Sequence, residues 1–326
     1  VTEESVKEAD VKLERVCIIG AGVIGSLCAA HLAREADVSV LVRRGEHAAA
    51  LNEHGLTVTG KSNLTSPVFA TTDPSALPEF DLGIVATKAT QMDDAVAPFA
   101  GRFPKAAFMT IQNGIGAELL MARYGDWPLI SSVTFMSGIR RGDHRIEYEL
   151  DTATWLGPFR PSGASFARAT SVAELFVASG LKAEALPDVR PAQWSKLIFN
   201  HAVNSVAAIT DLPHVALYAR RDKSSDLGWL VAGLIEEGAA VATAAGVELF
   251  EDPWDMNVHA VTAGRTDSDD YAHVPSMLGD IRAGRKTEIE FITGAIVREA
   301  ARFDVEVPLS RAMYQLVRAR DRSYDD

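Results

Sequence analysis

Residues 15–25 read RVCIIGAGVIG, a short apolar run that ends in three closely spaced glycines. The run has the length and β-branched content of a buried strand, and the pattern after it is helical. Gly20, Gly22 and Gly25 stand in a G-x-G-x-x-G spacing between the two. The first glycine permits a tight turn, the second lets a pyrophosphate approach the backbone, and the third lets helix and strand pack closely. The loop Gly20, Ala21, Gly22, Val23, Ile24 and Gly25 is therefore the candidate phosphate cradle of a dinucleotide, with helix amides facing the phosphates.

The next segments fit such a fold. VSVLVR (38–43), LGIVAT (82–87) and AFMTIQN (107–113) read as further buried strands, with a helix over QMDDAVAPFAG between the last two. LISSVTFMSGI and RIEYEL in 130–157 add strands, and a helix is expected around 165–179. Apolar strands alternating with helices predict a parallel sheet covered on both faces. Beyond LPDVRPAQ (186–193) strand signals become rare, and helical patterns run over 194–209, 226–245 and 287–303. The expected organisation is an α/β chain. A flexible lead-in (1–10) precedes a Rossmann-type nucleotide-binding domain (11–187) and an all-helical domain (188–326).

An NAD-preferring site places Asp or Glu at the end of the second strand, on the ribose 2′-hydroxyl. This sequence has Arg43 and Arg44 there, and two guanidinium groups suit a 2′-phosphate, so NADP(H) is the expected cofactor. Lys88 and Asn113 follow two later strands, where ligands of open parallel sheets bind. Each residue also has a plain alternative: a solvated loop lysine, and the first residue of an Asn-Gly turn.

In WSKLIFNHAVN (194–204), Lys196, Asn200 and Asn204 recur every four residues. That spacing puts them on one stripe of a helix whose other faces are apolar. Buried lysine and carboxamides require partners, and a ligand can supply them. Lysine can act as a general acid, and Asn donates and accepts without titrating, which suits a small anionic carbonyl compound. In 274–297, Ser276 is a candidate for a carboxylate or hydroxyl. Thr287 with Glu290 fits an N-terminal capping box that would put Glu288 in a first helical turn. Asp280 is expected to partner a nearby arginine.

Composition narrows the alternatives. A net charge of −12 makes the chain a poor partner for nucleic acid or anionic membrane. No apolar run reaches the length expected of a membrane span. Cys17 and Cys28 have no metal-type spacing and read as packing residues, which fits a reducing cytoplasm. No metal ligand set is visible.

The motifs together resemble the ketopantoate reductase (2-dehydropantoate 2-reductase) family over residues 15–309. They are GAGVIGS, LVRRGEH, ATKATQ, QNGIG, WSKLIFNHAVNSVAAIT and PSMLGDIRAGRKTEIEFITG. The resemblance implies an NADPH-binding Rossmann domain and a helical domain like that of 6-phosphogluconate dehydrogenase. It implies reduction of 2-dehydropantoate to (R)-pantoate, a step toward coenzyme A, in the cytoplasm. Lys196 matches the family's proton donor. Asn200, Asn204 and Ser276 match substrate-binding residues, and Lys88 and Asn113 match cofactor contacts, Asn113 also lying near the substrate. Glu288 matches a glutamate at the nicotinamide and substrate end. Ala29, Gly279 and Thr293 replace residues more frequent in the family. Two other readings stay open: a reductase of another branched 2-oxo acid, and a non-catalytic NADP(H) sensor. The expected partner is a small 2-oxo acid, with no nucleic acid or membrane; a homodimer is left open.

Overall fold

The computed structural model describes residues 12–213, 226–256 and 274–323. The lead-in expected over residues 1–10 lies outside them. The chain forms two compact units. Unit 1 is Val1–Thr87, Gln91–Gln112 and Glu118–Val189; unit 2 is Lys88–Thr90, Asn113–Ala117 and Arg190–Asp326.

In unit 1, β1 (Arg15–Ile19), α1 (Val23–Leu32) and β2 (Asp37–Leu41) form the first crossover, and α2 (Gly45–His54) follows. Three short strands come next: β3 (Leu56–Gly60), β4 (Leu64–Ser66) and β5 (Phe69–Thr71). Then come β6 (Leu82–Val85), α3 (Met92–Val96), β7 (Ala107–Thr110), α4 (Ala117–Met121) and β8 (Leu129–Thr134). The unit closes with β9 (Ser137–Arg140), β10 (Arg145–Leu150), β11 (Thr154–Pro158), α5 (Phe166–Ala178) and β12 (Ala183–Ala185).

The main sheet has the order β12-β11-β8-β7-β6-β1-β2-β5. Its chain order reverses between β1 and β6, which both run parallel to their neighbours. The carboxyl ends of those two strands therefore border the switch-point crevice of a doubly wound sheet. β6, β7 and β8 are buried along their whole length, as their unbroken apolar runs require.

Three expectations need correction. The sheet is mixed, because β11 pairs antiparallel with β8. LISSVTFMSGI is two strands, not one: Thr134 Oγ1 accepts from Met136 N–H at 3.1 Å, turning the chain, and β9 joins a second sheet of order β4-β3-β10-β9. The helix over QMDDAVAPFAG is only α3 plus a 3₁₀ turn, Ala97–Phe99. Pro98 has no N–H to continue the helix.

The second sheet explains the composition of α1. Residues Gly25–Leu32 are all buried, because α1 packs on β1 and β2 of the main sheet and on β3, β4, β9 and β10 of the other. A helix covered on two sides has no need of a polar face.

Unit 2 is helical among the described residues. α6 (Arg190–Thr210) runs through its centre, with α7 (Asp226–Ala244), α8 (Ser276–Arg282), α9 (Thr293–Arg302) and α10 (Pro308–Arg322) packed on it. Trp194, Leu197, Ile198, Phe199, Val203 and Val206 of α6 fill its core. The helix expected from residue 287 begins only at Thr293. The capping box does not form: Glu290 accepts from Tyr314 and Arg318, and Thr287 donates to Asp321. Residues 287–292 use their backbone differently, with Phe291 C=O accepting from Ile115 N–H at 3.2 Å. By length and composition alone α7 could cross a bilayer, against the sequence expectation. One face of it packs on α6 within unit 2, and its Glu237 caps α10 at Leu309 N (2.9 Å) and Ser310 N (2.7 Å).

Candidate active site

The glycine loop leaves β1 through Gly20, whose φ is +98° and whose N–H donates to Leu41 C=O at 2.9 Å. A Cβ added at Gly25 would lie 2.0 Å from the Gly20 carbonyl oxygen, so helix and loop touch through hydrogen alone. A Cβ at Gly22 would meet nothing within 4 Å. Gly22 is also the N-cap of α1 and supplies no side-chain acceptor, and the first turn holds no acid. The start of α1 thus has room at Gly22 and neither a capping side chain nor a first-turn acid, which fits a bound pyrophosphate.

Arg43 and Arg44 follow β2 and are exposed, with Arg44 as the N-cap of α2. Arg44 Nη2 lies 2.5 Å from Asp143 Oδ1. Arg140 Nη2 reaches the same oxygen at 2.7 Å and approaches the buried His47 ring at 3.2 Å. The Arg44 hydrogen bond holds the Asp143 carboxyl below its usual range. Burial, reinforced by Arg140, lowers the His47 pKa and so favours neutral imidazole. Sequence spacing could not reveal Arg140 and Asp143 as neighbours of Arg44, since a β9–β10 hairpin turn brings them there.

Within unit 2, α6 carries the polar stripe. Asn200 is 8% and Asn204 4% exposed, and neither carboxamide has a hydrogen-bond partner among the described residues. Lys196 is partly buried, and its Nζ donates to Asn113 Oδ1 at 2.8 Å. Burial pulls the Lys196 pKa down to about 8, against the opposing charge of Glu288.

Glu288 is buried and accepts from Ala89 N–H at 2.9 Å. Burial pushes its carboxyl pKa up; the Ala89 hydrogen bond and the charges of Lys88 and Lys196 oppose this. Lys88 pairs with the buried carboxylate of Asp280 on α8, which also accepts from Arg285 Nη2 at 3.0 Å. The expected arginine partner of Asp280 is therefore present, and Lys88 is a second one that the sequence did not suggest. Ser276 opens α8 in an exposed position, on a helix that packs against α6.

Unit 2 thus gathers Lys88, Asn113, Lys196, Asn200, Asn204, Ser276 and Glu288, whereas the glycine loop and Arg43–Arg44 lie in unit 1. Among the described residues no cluster of His, Cys, Asp and Glu could hold a metal ion.

Comparison with known proteins gives this arrangement a family. The profile described as "Ketopantoate reductase PanE/ApbA" matches residues 16–161, and its C-terminal counterpart matches residues 188–321. A 2-dehydropantoate 2-reductase of Pyrococcus horikoshii is 30% identical over 309 residues, 94% of this chain and 97% of that protein. One of Halobacterium salinarum is 30% identical over 314 residues, 94% of this chain and 99% of that protein. The crystal structure of a PanE/ApbA family ketopantoate reductase from Ralstonia eutropha JMP134 superposes with a TM-score of 0.82 at 25% identity. It covers 96% of this chain and 100% of that one. Two profiles that between them span both halves, and relatives matched nearly end to end, leave one assignment: the chain belongs to the ketopantoate reductase family.

Proposed function

We propose that the protein reduces 2-dehydropantoate to (R)-pantoate with NADPH, a step toward coenzyme A, and that it does so in the cytoplasm. The observation that carries the reading is the α6 stripe, a half-buried lysine in line with two buried carboxamides that have no partner among the described residues. Such groups are stable in a folded protein when a ligand completes them.

NADPH, when bound, supplies the hydride. Gly20–Gly25 hold its pyrophosphate through the α1 amides, and Arg43 and Arg44 its 2′-phosphate. Lys88 and Asn113 contribute further cofactor contacts. Lys196 is the general acid: as charge develops on the C2 oxygen, its ammonium gives up a proton and stabilises the alkoxide. A pKa near 8 suits the task, since the amine is mostly protonated at neutral pH yet more acidic than free lysine. Asn113 accepts from that ammonium and so sets its direction. Asn200 and Asn204 orient the carboxylate and hydroxyl of the 2-oxo acid, with Ser276 as a further contact. Glu288 lies close enough to Lys196 to raise its pKa and, bonded to Ala89 N–H, steadies the segment that carries Lys88.

The test is a panel of branched 2-oxo acids with NADPH and NADH, followed by loss of the reduced nicotinamide absorbance. 2-Dehydropantoate with NADPH should give the highest kcat/KM. A higher value for another acid would move the protein to a related reductase. No turnover with any acid, despite NADPH binding, would make it a cofactor sensor.

A further inference from the structure

Two guanidinium groups from distant parts of the sequence end on a single carboxylate oxygen. Arg44 Nη2 and Arg140 Nη2 lie 2.5 and 2.7 Å from Asp143 Oδ1. One carboxylate cannot neutralise two guanidiniums, so the cluster keeps an excess positive charge. Its third wall is His47, buried and held toward the neutral form, which adds ring nitrogens but no full charge. Arg44 stands just past the end of β2, where the adenosine ribose of a dinucleotide lies in folds of this type. We propose that Arg140, supplied by the β9–β10 hairpin, is a further ligand of the cofactor 2′-phosphate beside the arginines after β2, and that Asp143 is a built-in competitor for the same place. The inference rests on the NADPH reading above.

Shape and charge both favour a phosphate here. A phosphate monoester offers three oxygens and close to two negative charges at neutral pH. Two converging guanidiniums match it better than one, each able to donate from two nitrogens. Asp143 Oδ1 occupies the point at which both forks converge, and so stands where a phosphate oxygen would be held. It keeps Arg44 and Arg140 aimed and partly neutralised while no phosphate is present. It has to turn away, or accept like-charge repulsion, when one arrives. A 2′-hydroxyl carries no charge with which to displace it. The hairpin therefore sharpens the choice of NADPH over NADH beyond what Arg43 and Arg44 provide, and Asp143 sets an upper limit on phosphate affinity.

The experiment measures binding rather than turnover. Adenosine 2′,5′-bisphosphate and adenosine 5′-monophosphate are titrated calorimetrically into the wild-type chain and into Arg140→Gln and Asp143→Asn variants, with thermal melting as a check of folding. Arg140→Gln should weaken the bisphosphate by about tenfold, the scale of one charge-assisted contact, and leave the monophosphate nearly unchanged. Asp143→Asn should tighten the bisphosphate several-fold, with the monophosphate again unchanged, and this variant decides the matter if Arg140→Gln does not fold. Added salt should erode the bisphosphate preference of the wild type. Equal effects on both nucleotides, or none, would remove Arg140 from the phosphate site. Weaker bisphosphate binding in Asp143→Asn would show Asp143 to be a support and not a competitor. A wild-type chain that does not distinguish the two nucleotides would instead overturn the NADPH reading itself.

Discussion

Lys196 Nζ donates to Asn113 Oδ1 at 2.8 Å across 83 positions of sequence. The bond ties the middle of α6 to the loop after β7, and it aims the one ammonium of the polar stripe. The same lysine has its pKa drawn down to about 8 by burial.

Rate should therefore depend on the state of Lys196. Lys196→Ala should lower kcat by about 10²- to 10⁴-fold, the usual scale for a positioned proton donor. Only the protonated amine donates, so wild-type kcat/KM should fall as pH rises through about 8, well below the 10.5 of a free lysine. Glu288 raises that pKa, so Glu288→Gln should move the alkaline limb to lower pH. A limb that stays in place in Glu288→Gln, or near-normal kcat in Lys196→Ala, would separate the lysine from the proton transfer.

Asn200→Ala and Asn204→Ala should each raise KM for the 2-oxo acid by about tenfold or more, as for a lost hydrogen bond to a charged group. Because neither carboxamide has a partner among the described residues, the melting temperature should hardly change, and NADPH affinity should persist. Unfolded variants would show the stripe to be structural; unchanged KM would show that it does not meet substrate.

Two glycines of the loop should respond in opposite ways. Gly25→Ala puts a methyl 2.0 Å from the Gly20 carbonyl oxygen, and forcing that overlap should destabilise the fold by about 1–3 kcal/mol or more. Gly22→Ala meets nothing within 4 Å. Its melting temperature should stay close to wild type while NADPH binding weakens, because the methyl enters the space left for phosphate. Paired melts and titrations of the two variants check this.

Lys88→Ala should destabilise the chain more than Asp280→Ala. The first leaves a carboxylate that is 3% exposed with only Arg285 among the described cations paired to it. A buried acceptor stripped of a partner costs about 1–3 kcal/mol. The second frees Lys88 and Arg285, whose side chains are 35% and 61% exposed and can hydrate. Chemical denaturation of both variants gives the order; the reverse order would mean that Asp280 is held chiefly by other groups.

The parts of this fold written in local patterns can be read from the sequence. β1, the glycine turn and α1 follow from an apolar run, three glycines and a helical period, and the α6 stripe follows from a spacing of four. The second sheet is not legible there, because β9 and β10 look like any strands and only the pairing of β10 with β3 sets them apart. The capping box around Thr287 fails for a related reason: long-range partners, Asp321 for Thr287 and Tyr314 for Glu290, outcompete the local bonds. Arg140 and Asp143 are beyond reach because their role depends on a hairpin meeting Arg44, and no periodicity records that meeting.

The short stretches after β6 and β7 fold with unit 2, although they belong by sequence to the first half of the chain. Glu288 depends on one of them for the N–H of Ala89, Lys196 on the other for the amide oxygen of Asn113, and Phe291 on Ile115. A gene cut before Arg190 would therefore not yield two self-sufficient modules. The trailing fragment would inherit the lysine helix but lose the threads that dress it, leaving Glu288 without an N–H it accepts from and Lys196 without the oxygen that aims it. Shuffling either half among relatives would have to carry those few residues along, so the two halves are bound to change together.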